Sequence, residues 1–397
     1  MVRATHEHTF IWERPEWPNF TWDAERLAAK LDGARRAQSE LLGVVKALGG
    51  KVTEAASDAM AREVVNNSAI EGVTLDVEAV RASMLLRLGV ETNLAKVTPG
   101  DLKRVDPVVG VLAEAVEGWK DPLTVERIFG WHRALFPKGV PDGGTTLPSG
   151  EFRGDLPMVV ATPSRRPGEP DTIHYEAPGR DVLEHELDAF LDWFNHPPPQ
   201  HTLNGLLRAG LAHLWFITVH PMLDGNGRLA RTITDLALSQ DERLPRRFYS
   251  ISVQIMKNKA AYDDALEHAQ RGSLAVDDWL EWFLSQVETA AREGFREIGR
   301  VLARGYFWAE VEKLRVPERQ RKALHSVLSP MSPEMSISNR RYRAITGISR
   351  ATSKRDLAEL AEKGLVVPFG EARAASYLVN LDPFLPDAFR LEEQPLA

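Results

Sequence analysis

One short run of this sequence holds the side chains needed to bind the phosphates of a nucleotide and to remove a proton beside them. The run extends from 220 to 231 and reads HPMLDGNGRLAR. His220 can accept a proton near neutral pH. Asp224 offers a carboxylate to a divalent cation, and Arg228 and Arg231 are three residues apart, so both can reach one polyphosphate. These side chains point to the attack of a hydroxyl on a nucleotide phosphate.

The sequence on either side predicts two helices, so the run forms the corner between them. Apolar residues repeat at helical spacing over 203–219, and Pro221 prevents that helix from continuing smoothly. A second helix is predicted over 228–238. The loop Gly225-Asn226-Gly227 therefore enters a helix N-terminus, where unpaired backbone N–H groups and the positive end of the helix dipole suit phosphate oxygens.

Asp224 is a carboxylate beside this predicted anion site, so it would repel phosphate unless a cation lay between them. Mg²⁺ bridging the carboxylate and the phosphates resolves that conflict. Each part of the run is common by itself: a histidine before proline is usually structural, and Asp-Gly-Asn-Gly also fits a calcium-type loop or a tight turn. Their combination in one register favours the nucleotide site.

Composition limits what else the protein can be. The chain has 397 residues, of which 43% are hydrophobic and 26% charged, as in ordinary soluble proteins of two or three domains. It has no cysteine, which excludes disulfides, thiolate metal sites and cysteine nucleophiles. No apolar run approaches the roughly 20 residues that cross a bilayer, so we expect a cytoplasmic protein. The net charge of −7 argues against non-specific nucleic-acid binding by the whole chain.

The remaining sequence predicts further helices and one short β-hairpin. Helical spacing of apolar residues predicts helices over 23–48, 53–71, 76–88, 123–136, 182–194, 259–270 and 277–303. Strand-forming residues inside the Pro- and Gly-rich segment 148–178 predict a hairpin of 158–161 with 172–175. The aromatic segment 10–22 predicts an ordered arm or a second short hairpin.

Beyond 317 the composition changes, and arginines and a lysine cluster between 340 and 355. Two short helices and two short strands are predicted over 338–346, 350–363, 365–367 and 377–379. A winged helix-turn-helix has this order of elements: a helix, a turn that contains glycine, a second helix and a two-stranded wing. The basic cluster fits contact with DNA, but it equally fits a solvated helix face or a protein-docking module.

The run at 220–231 resembles, nearly letter for letter, the signature HPFx[D/E]GNGRxxR of the Fic family. It departs only at Met222, where the family usually has phenylalanine, and methionine is an apolar substitute of similar reach. The resemblance implies an all-α Fic core carrying a small β-hairpin flap. It also implies transfer of AMP from ATP to a serine, threonine or tyrosine of a target protein, with release of pyrophosphate.

The same resemblance implies a role for each polar residue of the run. His220 would be the general base, and Asp224 would hold Mg²⁺. The phosphates of ATP would be bound by Gly225, Asn226, Gly227, Arg228 and Arg231, the last of them at the γ-phosphate.

Two further segments resemble the family outside its signature. The flap, which pairs with an extended segment of the target protein, is matched by Met158, Val159, Val160 and Ala161. Asn258 and Tyr262 look like the nucleoside-contacting residues of the family. A solvated helix start with one packed tyrosine explains those two residues equally well.

The segment 67–72 resembles the inhibitory helix of the family, [S/T]xxxE[G/N], with Asn67 in place of the serine or threonine. Glu71 falls in the last turn of its predicted helix, where the helix dipole disfavours an anion, so a cationic partner is expected. The resemblance makes that partner Arg231. Since the pair would occupy the γ-phosphate position and hold ATP unproductively, we expect Glu71 to autoinhibit the enzyme in cis.

The resemblance covers nearly the whole chain and implies three domains: a helical N-terminal domain with the inhibitory helix over 1–95, the Fic core over 96–305 and the winged helix-turn-helix over 317–382. The leading interpretation is a protein adenylyltransferase that uses ATP and Mg²⁺ on a target protein with an exposed hydroxyl.

Several alternatives stay open within and outside this fold. Relatives transfer UMP, phosphocholine or phosphate, and some remove AMP from a modified target. A DNA-binding regulator that uses the Fic core as a sensor is the alternative of another class. The target, the preferred nucleotide and a homodimer also stay open, and no membrane contact is expected.

Overall fold

The computed structural model describes residues 10–90, 97–142, 145–162, 170–197, 202–328, 335–370 and 376–390. Most of these residues are helical, and the described strands form only small antiparallel sheets. The chain divides into two compact units, one of residues 1–49 and 59–294, the other of residues 50–58 and 295–397. None of the described helices is long and apolar enough to cross a membrane.

The first unit is built mainly from helices. They are α1 (Ala24–Leu48), α2 (Thr53–Ile70), α3 (Val77–Arg87), α4 (Pro99–Glu117), α5 (Val125–Leu135), α6 (Arg180–Asn195), α7 (Gly205–Val219), α8 (Asn226–Glu242), α9 (Ile251–Lys257), α10 (Lys259–Arg271) and α11 (Asp277–Lys313). Helices α2 and α11 also contribute residues to the second unit. A short 3-10 helix, Ile11–Glu13, precedes them.

Helix α7 forms the centre of the first unit. Each of its residues is buried, and α8 packs along it. Its sequence is apolar on all sides, which is typical of a helix surrounded by other elements. The site at its C-terminal end is therefore attached to the best-packed part of this unit.

The first unit also contains two antiparallel hairpins. Strands β1 (Val140–Asp142) and β2 (Thr145–Leu147) form the first, and β3 (Val159–Thr162) and β4 (Thr172–Glu176) form the second, with a register shift between Val160 and Ala161. The second hairpin confirms the hairpin predicted from 158–161 and 172–175.

Most of the predicted helices are present with ends that differ by a few residues, but α11 extends to Lys313 where its predicted end was 303, and α9 and a helix at Glu318–Val327 were not predicted. Asp23 caps α1 by accepting the N–H groups of Glu25 and Arg26, and Gly49, at φ 56°, ends it. Helix α4 was missed, and Pro107 lies inside it, where proline normally argues against a helix. The aromatic segment forms a 3-10 helix and turns with one bridge, Thr21 to Ala275, so the hairpin alternative is wrong.

The second unit contains helices and one three-stranded sheet. Its elements after α11 include α12 (Glu318–Val327), β5 (Ser336–Ser338), α13 (Asn339–Thr346), α14 (Arg350–Glu362), β6 (Val366–Phe369) and β7 (Ser376–Val379). The strand order is β5–β7–β6, and all pairings are antiparallel. The two helices and two wing strands predicted here are present. The winged helix-turn-helix assignment stays a prediction, as does the division of the chain into domains at 1–95, 96–305 and 317–382.

Candidate phosphate-binding site

His220 lies at the corner where α7 ends. Its backbone has the left-handed conformation, with φ 51° and ψ 58°, and its N–H donates to the carbonyl of Phe216 at 3.1 Å. Pro221 follows, and a residue before proline avoids the right-handed helical region. The chain therefore turns sharply out of the core at the histidine.

The ring of His220 is held in one tautomer. Nδ1 lies 3.0 Å from the carbonyl oxygen of Ile217, which can only accept, so Nδ1 carries the proton and Nε2 has its lone pair available. Burial lowers the pKa of His220 to about 4, although its hydrogen bond to Ile217 acts in the opposite direction. The imidazole is thus a neutral base at physiological pH.

Two residues that were not predicted to belong to the site hold this corner. Arg153, which is buried, donates from Nε to the carbonyl of His220 at 2.9 Å, and its backbone N–H donates to the carbonyl of Pro221 at 3.1 Å. His132 accepts the N–H of Gly150 at Nδ1, 2.8 Å, and donates from Nε2 to the carbonyl of Asp224 at 3.1 Å. Only the fold brings these residues next to the run.

The glycines of the run are required by close approach. Gly225 has φ 81°, and a Cβ there would lie 2.8 Å from the ring of Phe136. A Cβ on Gly227 would lie 2.2 Å from Oε1 of Glu71. The N-cap residue of α8 is Gly225, which has no side chain to accept the first backbone N–H groups of the helix. Such a helix start binds anions.

Asn226 shapes the loop with its side chain. Its Oδ1 accepts the N–H of Met222 at 2.9 Å, and its Nδ2 donates to the carbonyl of Met222 at 2.8 Å. Both polar atoms of the Asn226 side chain are engaged in this clamp, and the residue is buried. Met222 is fully buried, as expected of an apolar substitute for phenylalanine.

The two arginines of the run are buried and incompletely bonded. Arg228 stacks on Phe136, with its guanidinium carbon 4.5 Å from the ring centroid, and its Nη2 lies 3.8 Å from the carboxylate of Asp224. Nε of Arg228 and Nη1 of Arg231 make no hydrogen bond of good geometry among the described residues. Buried donors without partners are rare in native proteins, so an anionic ligand fits this position.

Glu71 forms the ion pair with Arg231 that the resemblance implies. Its Oε1 accepts from Nη2 of Arg231 at 2.6 Å, and the arginine is only 3% exposed while the glutamate is 33% exposed. Burial opposes ionisation of Glu71, but the charge and hydrogen bond of Arg231, followed by Arg228 and Lys259, hold its pKa below the usual value. The carboxylate is therefore ionised and lies directly over Gly227.

Asn67 supplies a second acceptor to the same arginine. Its Oδ1 accepts from Nε of Arg231 at 2.6 Å, its carbonyl accepts from Nη2 at 3.2 Å, and its Nδ2 donates to the carbonyl of Arg228 at 3.3 Å. The asparagine thus bridges α2 to α8 at the position where serine or threonine was expected. Glu71 itself follows the end of α2 rather than lying in its last turn.

The predicted nucleoside-contacting residues differ in exposure. Asn258 is exposed and accepts the N–H of Ala261 at 3.4 Å, capping α10. Tyr262 is buried, its hydroxyl lies 3.0 Å from Nε2 of His213, and burial raises its pKa to about 12. Contact of either residue with a nucleoside stays a prediction.

His213 is a further buried residue that the sequence analysis missed. Its Nδ1 lies 2.9 Å from Oγ1 of Thr234, which itself donates to the carbonyl of Ala230, and its Nε2 accepts from Tyr262. The ring therefore connects α7, α8 and α10 in its neutral form. Burial lowers the pKa of His213 to about 3.

Acid is expected to destabilise this arrangement. Because the folded-state pKa values of His213 and His220 lie below the ordinary 6.5, the unfolded chain binds protons first as the pH falls. Their contribution to stability is complete above about pH 6.5 and is lost as the pH falls, toward pH 4 for His220 and toward pH 3 for His213. Proton uptake at His213 in the unfolded chain should by itself lower the free energy of unfolding by about 2 kcal/mol as the pH falls from 7.5 to 5.

Urea unfolding at both pH values measures this effect, and His213→Gln should reduce the difference. An equal pH dependence in the variant would contradict the assignment of His213.

The predicted flap exposes one strand. Val159 and Val160 are 40% and 43% exposed, and among the described strands β3 pairs with β4 alone. Strand β4 is attached to α10, where Arg271 donates to the carbonyl of His174 at 2.8 Å. The hairpin is therefore held against α10 while the outer edge of β3 is exposed. An exposed strand edge is what pairing with an extended segment of a target protein requires.

Comparisons with known proteins agree with these features. The family model described as "Fic/DOC family" matches residues 122–238, which include the whole run, and one described as "Domain of unknown function (DUF4172)" matches residues 10–90. The chain is 25% identical over 191 residues to "Protein adenylyltransferase Fic" of Nematostella vectensis, covering 46% of this chain and 38% of that relative. It is 32% identical over 134 residues to "Uridine 5'-monophosphate transferase" of Xanthomonas campestris pv. campestris, covering 32% of this chain and 23% of that relative.

These matches span well under half the length of either curated relative. Among solved structures, a Fic family protein from Desulfovibrio desulfuricans is 18% identical with a TM-score of 0.47, over 88% of this chain and 95% of that one. A Fic domain-containing signaling protein from Bacteroides thetaiotaomicron is 16% identical, also with a TM-score of 0.47, over 68% of this chain and 97% of that one.

Proposed function

We propose that this chain is a protein adenylyltransferase of the Fic/DOC family, whose model matches residues 122–238. Members of this family transfer AMP or UMP to proteins, and the two curated relatives are named for these two activities. The intact sequence GNGR followed by Arg231 favours a nucleoside triphosphate donor over the phosphate-transferring alternative. Between AMP and UMP we favour AMP, the group named for the relative matched over the longer stretch.

The observation that carries the proposal is the lone pair on Nε2 of His220, at the corner between α7 and α8. The oxygen of a target serine, threonine or tyrosine attacks the α-phosphorus of ATP, and its proton passes to Nε2. The bond from the α-phosphorus to the bridging oxygen of the β-phosphate breaks, and pyrophosphate leaves. A neutral imidazole suits this step since it must accept a proton at physiological pH.

The start of α8 would bind the phosphates of the donor. Its uncapped backbone N–H groups face Gly225 and Gly227, whose missing side chains leave room for close approach. Nε of Arg228 and Nη1 of Arg231, which make no hydrogen bond of good geometry among the described residues, supply further donors. Preorganised donors of this kind stabilise the charge that develops during phosphoryl transfer.

The residues present fit Mg²⁺ at Asp224. Its carboxylate is 54% exposed and lies beside the anion site, and Mg²⁺ is commonly held by one or two carboxylates together with substrate phosphates and water. The described residues contain no group of three or more acids and histidines that would hold a metal alone, so the phosphates would complete the coordination. When bound, Mg²⁺ would neutralise phosphate charge.

Autoinhibition is supported by the position of Glu71. The carboxylate of Glu71 binds Arg231, the arginine that would bind the γ-phosphate. It also lies against Gly227 in the anion site. An ionised carboxylate there repels the terminal phosphate and takes up the donor that would receive it. ATP would therefore bind in an unproductive position until Glu71 moves.

The direct test is nucleotide transfer by the Glu71→Gly protein. We expect incubation with Mg²⁺ and each of the four nucleoside triphosphates in turn to add one nucleoside monophosphate to a hydroxyl of the protein itself. Intact-mass measurement identifies the nucleotide, with ATP expected to give the largest yield. Preferential addition of UMP would assign the UMP alternative, and no addition with any nucleotide would contradict nucleotidyl transfer.

A further inference from the structure

We propose that the exposed face of α14 binds duplex DNA, a function separate from the nucleotide site. Between Met335 and Gly370 the sequence has seven arginines and lysines but only three acidic residues, although the net charge of the whole chain is −7. This concentration of charge in one short segment is the electrostatic feature that attracts a polyphosphate backbone.

The basic side chains of this face are exposed and unpaired. No ion pair is formed, among the residues that the structure describes, by Arg340, Arg343, Arg350, Lys354 or Arg355. Other cations of the same unit are neutralised locally: Arg319 binds Asp356 and Lys363 binds Glu359, each at 2.7 Å. The five unpaired cations therefore keep their full charge for a ligand.

The one acid in the first half of α14 points away from this face. Asp356 is buried, and its carboxylate binds Arg319 at 2.7 and 2.9 Å and the hydroxyl of Tyr342 at 2.9 Å. These partners lower the pKa of Asp356 against the opposing effect of burial. Its charge is thus neutralised on the inner side, and the outer surface from Arg350 to Ala358 is uniformly positive.

The outer surface also has the shape needed for close approach. Ala351, Lys354, Arg355 and Ala358 are all exposed, and their spacing of three and four residues places them on one side of the helix. Two alanines flank the two cations, so no bulky side chain keeps the helix backbone from a groove. The major groove of B-DNA admits a helix of this kind.

Helix α13 supplies further cations before a tight turn. Gly347, at φ 72°, ends α13, its N–H donating to the carbonyl of Arg343 at 2.8 Å, and Ser349 caps α14 by accepting the N–H of Thr352 at 3.2 Å. Arg340 and Arg343 are exposed on α13. In helix-turn-helix proteins the second helix enters the groove while flanking residues contact phosphates. By this comparison α14 would enter the groove, and the cations of α13 would contact phosphates.

Other polyanions fit this face less well. The outer side of α14 carries no aromatic residue, which single-stranded nucleic acid would need for base stacking. It also carries no apolar side chain larger than alanine from Arg350 to Ala358, which an interfacial membrane helix would need. Charge without stacking or insertion groups favours the regular phosphate array of a duplex.

The test is a gel-shift and fluorescence-anisotropy series with random-sequence duplex DNA and the full chain. We expect binding that weakens with salt, with a slope of about −0.9 in log K against log salt for each phosphate contacted. Arg350→Ala/Lys354→Ala/Arg355→Ala should bind at least about tenfold more weakly and lose about 2.7 from the slope. All three side chains are exposed, and circular dichroism confirms that the variant is folded.

A control of equal net charge is Lys30→Ala/Arg36→Ala/Lys46→Ala, which removes three exposed cations from α1 and should bind as the wild type does. His220→Ala should also bind normally, since the face contains no residue of the nucleotide site. The proposal is wrong if no salt-dependent retardation is seen up to about 100 µM protein. It is also wrong if the control variant loses as much DNA affinity as the α14 variant. Tighter binding to anionic vesicles or to single strands than to duplex DNA would overturn it as well.

Discussion

Replacing His220 by alanine in the Glu71→Gly protein is expected to lower nucleotide transfer by about a hundred- to ten-thousandfold, the usual contribution of a general base. The physical reason is the fixed tautomer: Nδ1 is held by the carbonyl of Ile217 at 3.0 Å, so Nε2 alone can take the proton of the attacking hydroxyl. The measurement is the initial rate of labelled AMP incorporation at saturating ATP and Mg²⁺.

A second variant and a control separate catalysis from folding. His220 has φ 51°, where alanine is strained by roughly 1–2 kcal/mol but asparagine is better tolerated, so His220→Asn should lose the same activity with less strain. Binding of ATP should persist in both variants, as the arginines and the start of α8 are unchanged. His196→Ala removes an exposed histidine and should leave the rate unaltered. Full activity in His220→Asn would contradict the role of His220.

Replacing Glu71 by glycine is expected to raise the transfer rate at least about tenfold over the wild type. A hydrogen bond between charged groups contributes about 1.5–3 kcal/mol, and breaking the 2.6 Å contact to Arg231 frees the donor for the γ-phosphate. Glu71→Gln keeps a hydrogen-bond acceptor without the charge and should give a smaller increase. Asn67→Ala, which removes the 2.6 Å bond to Nε of Arg231, should also raise the rate moderately.

The matched control for Glu71→Gly is Glu117→Gly. Glu117 is exposed in the last turn of α4, so the same change is made at the end of another helix. The control should leave the rate at the wild-type level. A Glu71→Gly protein that transfers no faster than the wild type, while still binding ATP, would show that the carboxylate does not restrain the site.

The sequence predicted the parts of the site that depend on local chain geometry. The apolar stretch before His220, the proline after it and the glycines of the loop determine a helix, a corner and an open helix start within about twenty-five residues. The hairpin of β3 and β4 was likewise predicted from short-range strand and turn signals. These features need only neighbours along the chain.

Other features were missed because their cause lies far away in sequence. Pro107 inside α4 obscured a helix whose apolar side, including Val105, Val109 and Leu112, is held by tertiary packing. His132 and Arg153 were not predicted to belong to the site, yet their side chains hold the backbone carbonyls of Asp224 and His220. A side-chain donor for a loop carbonyl can come from any element that the fold brings near it.

The sequence by itself determined the chemical groups of the site and their order along the chain, because each depends only on residue type and short spacing. These groups are an imidazole, a carboxylate, an uncapped helix start and two arginines. Tertiary structure alone decided how these groups are tuned. Burial lowers the pKa of His220 to about 4, Arg153 binds the carbonyl of His220 from 67 positions away, and Glu71 reaches Arg231 across 160 positions of the chain. Desolvation and contacts between distant segments arise only when the chain packs, so residue order cannot specify them on its own.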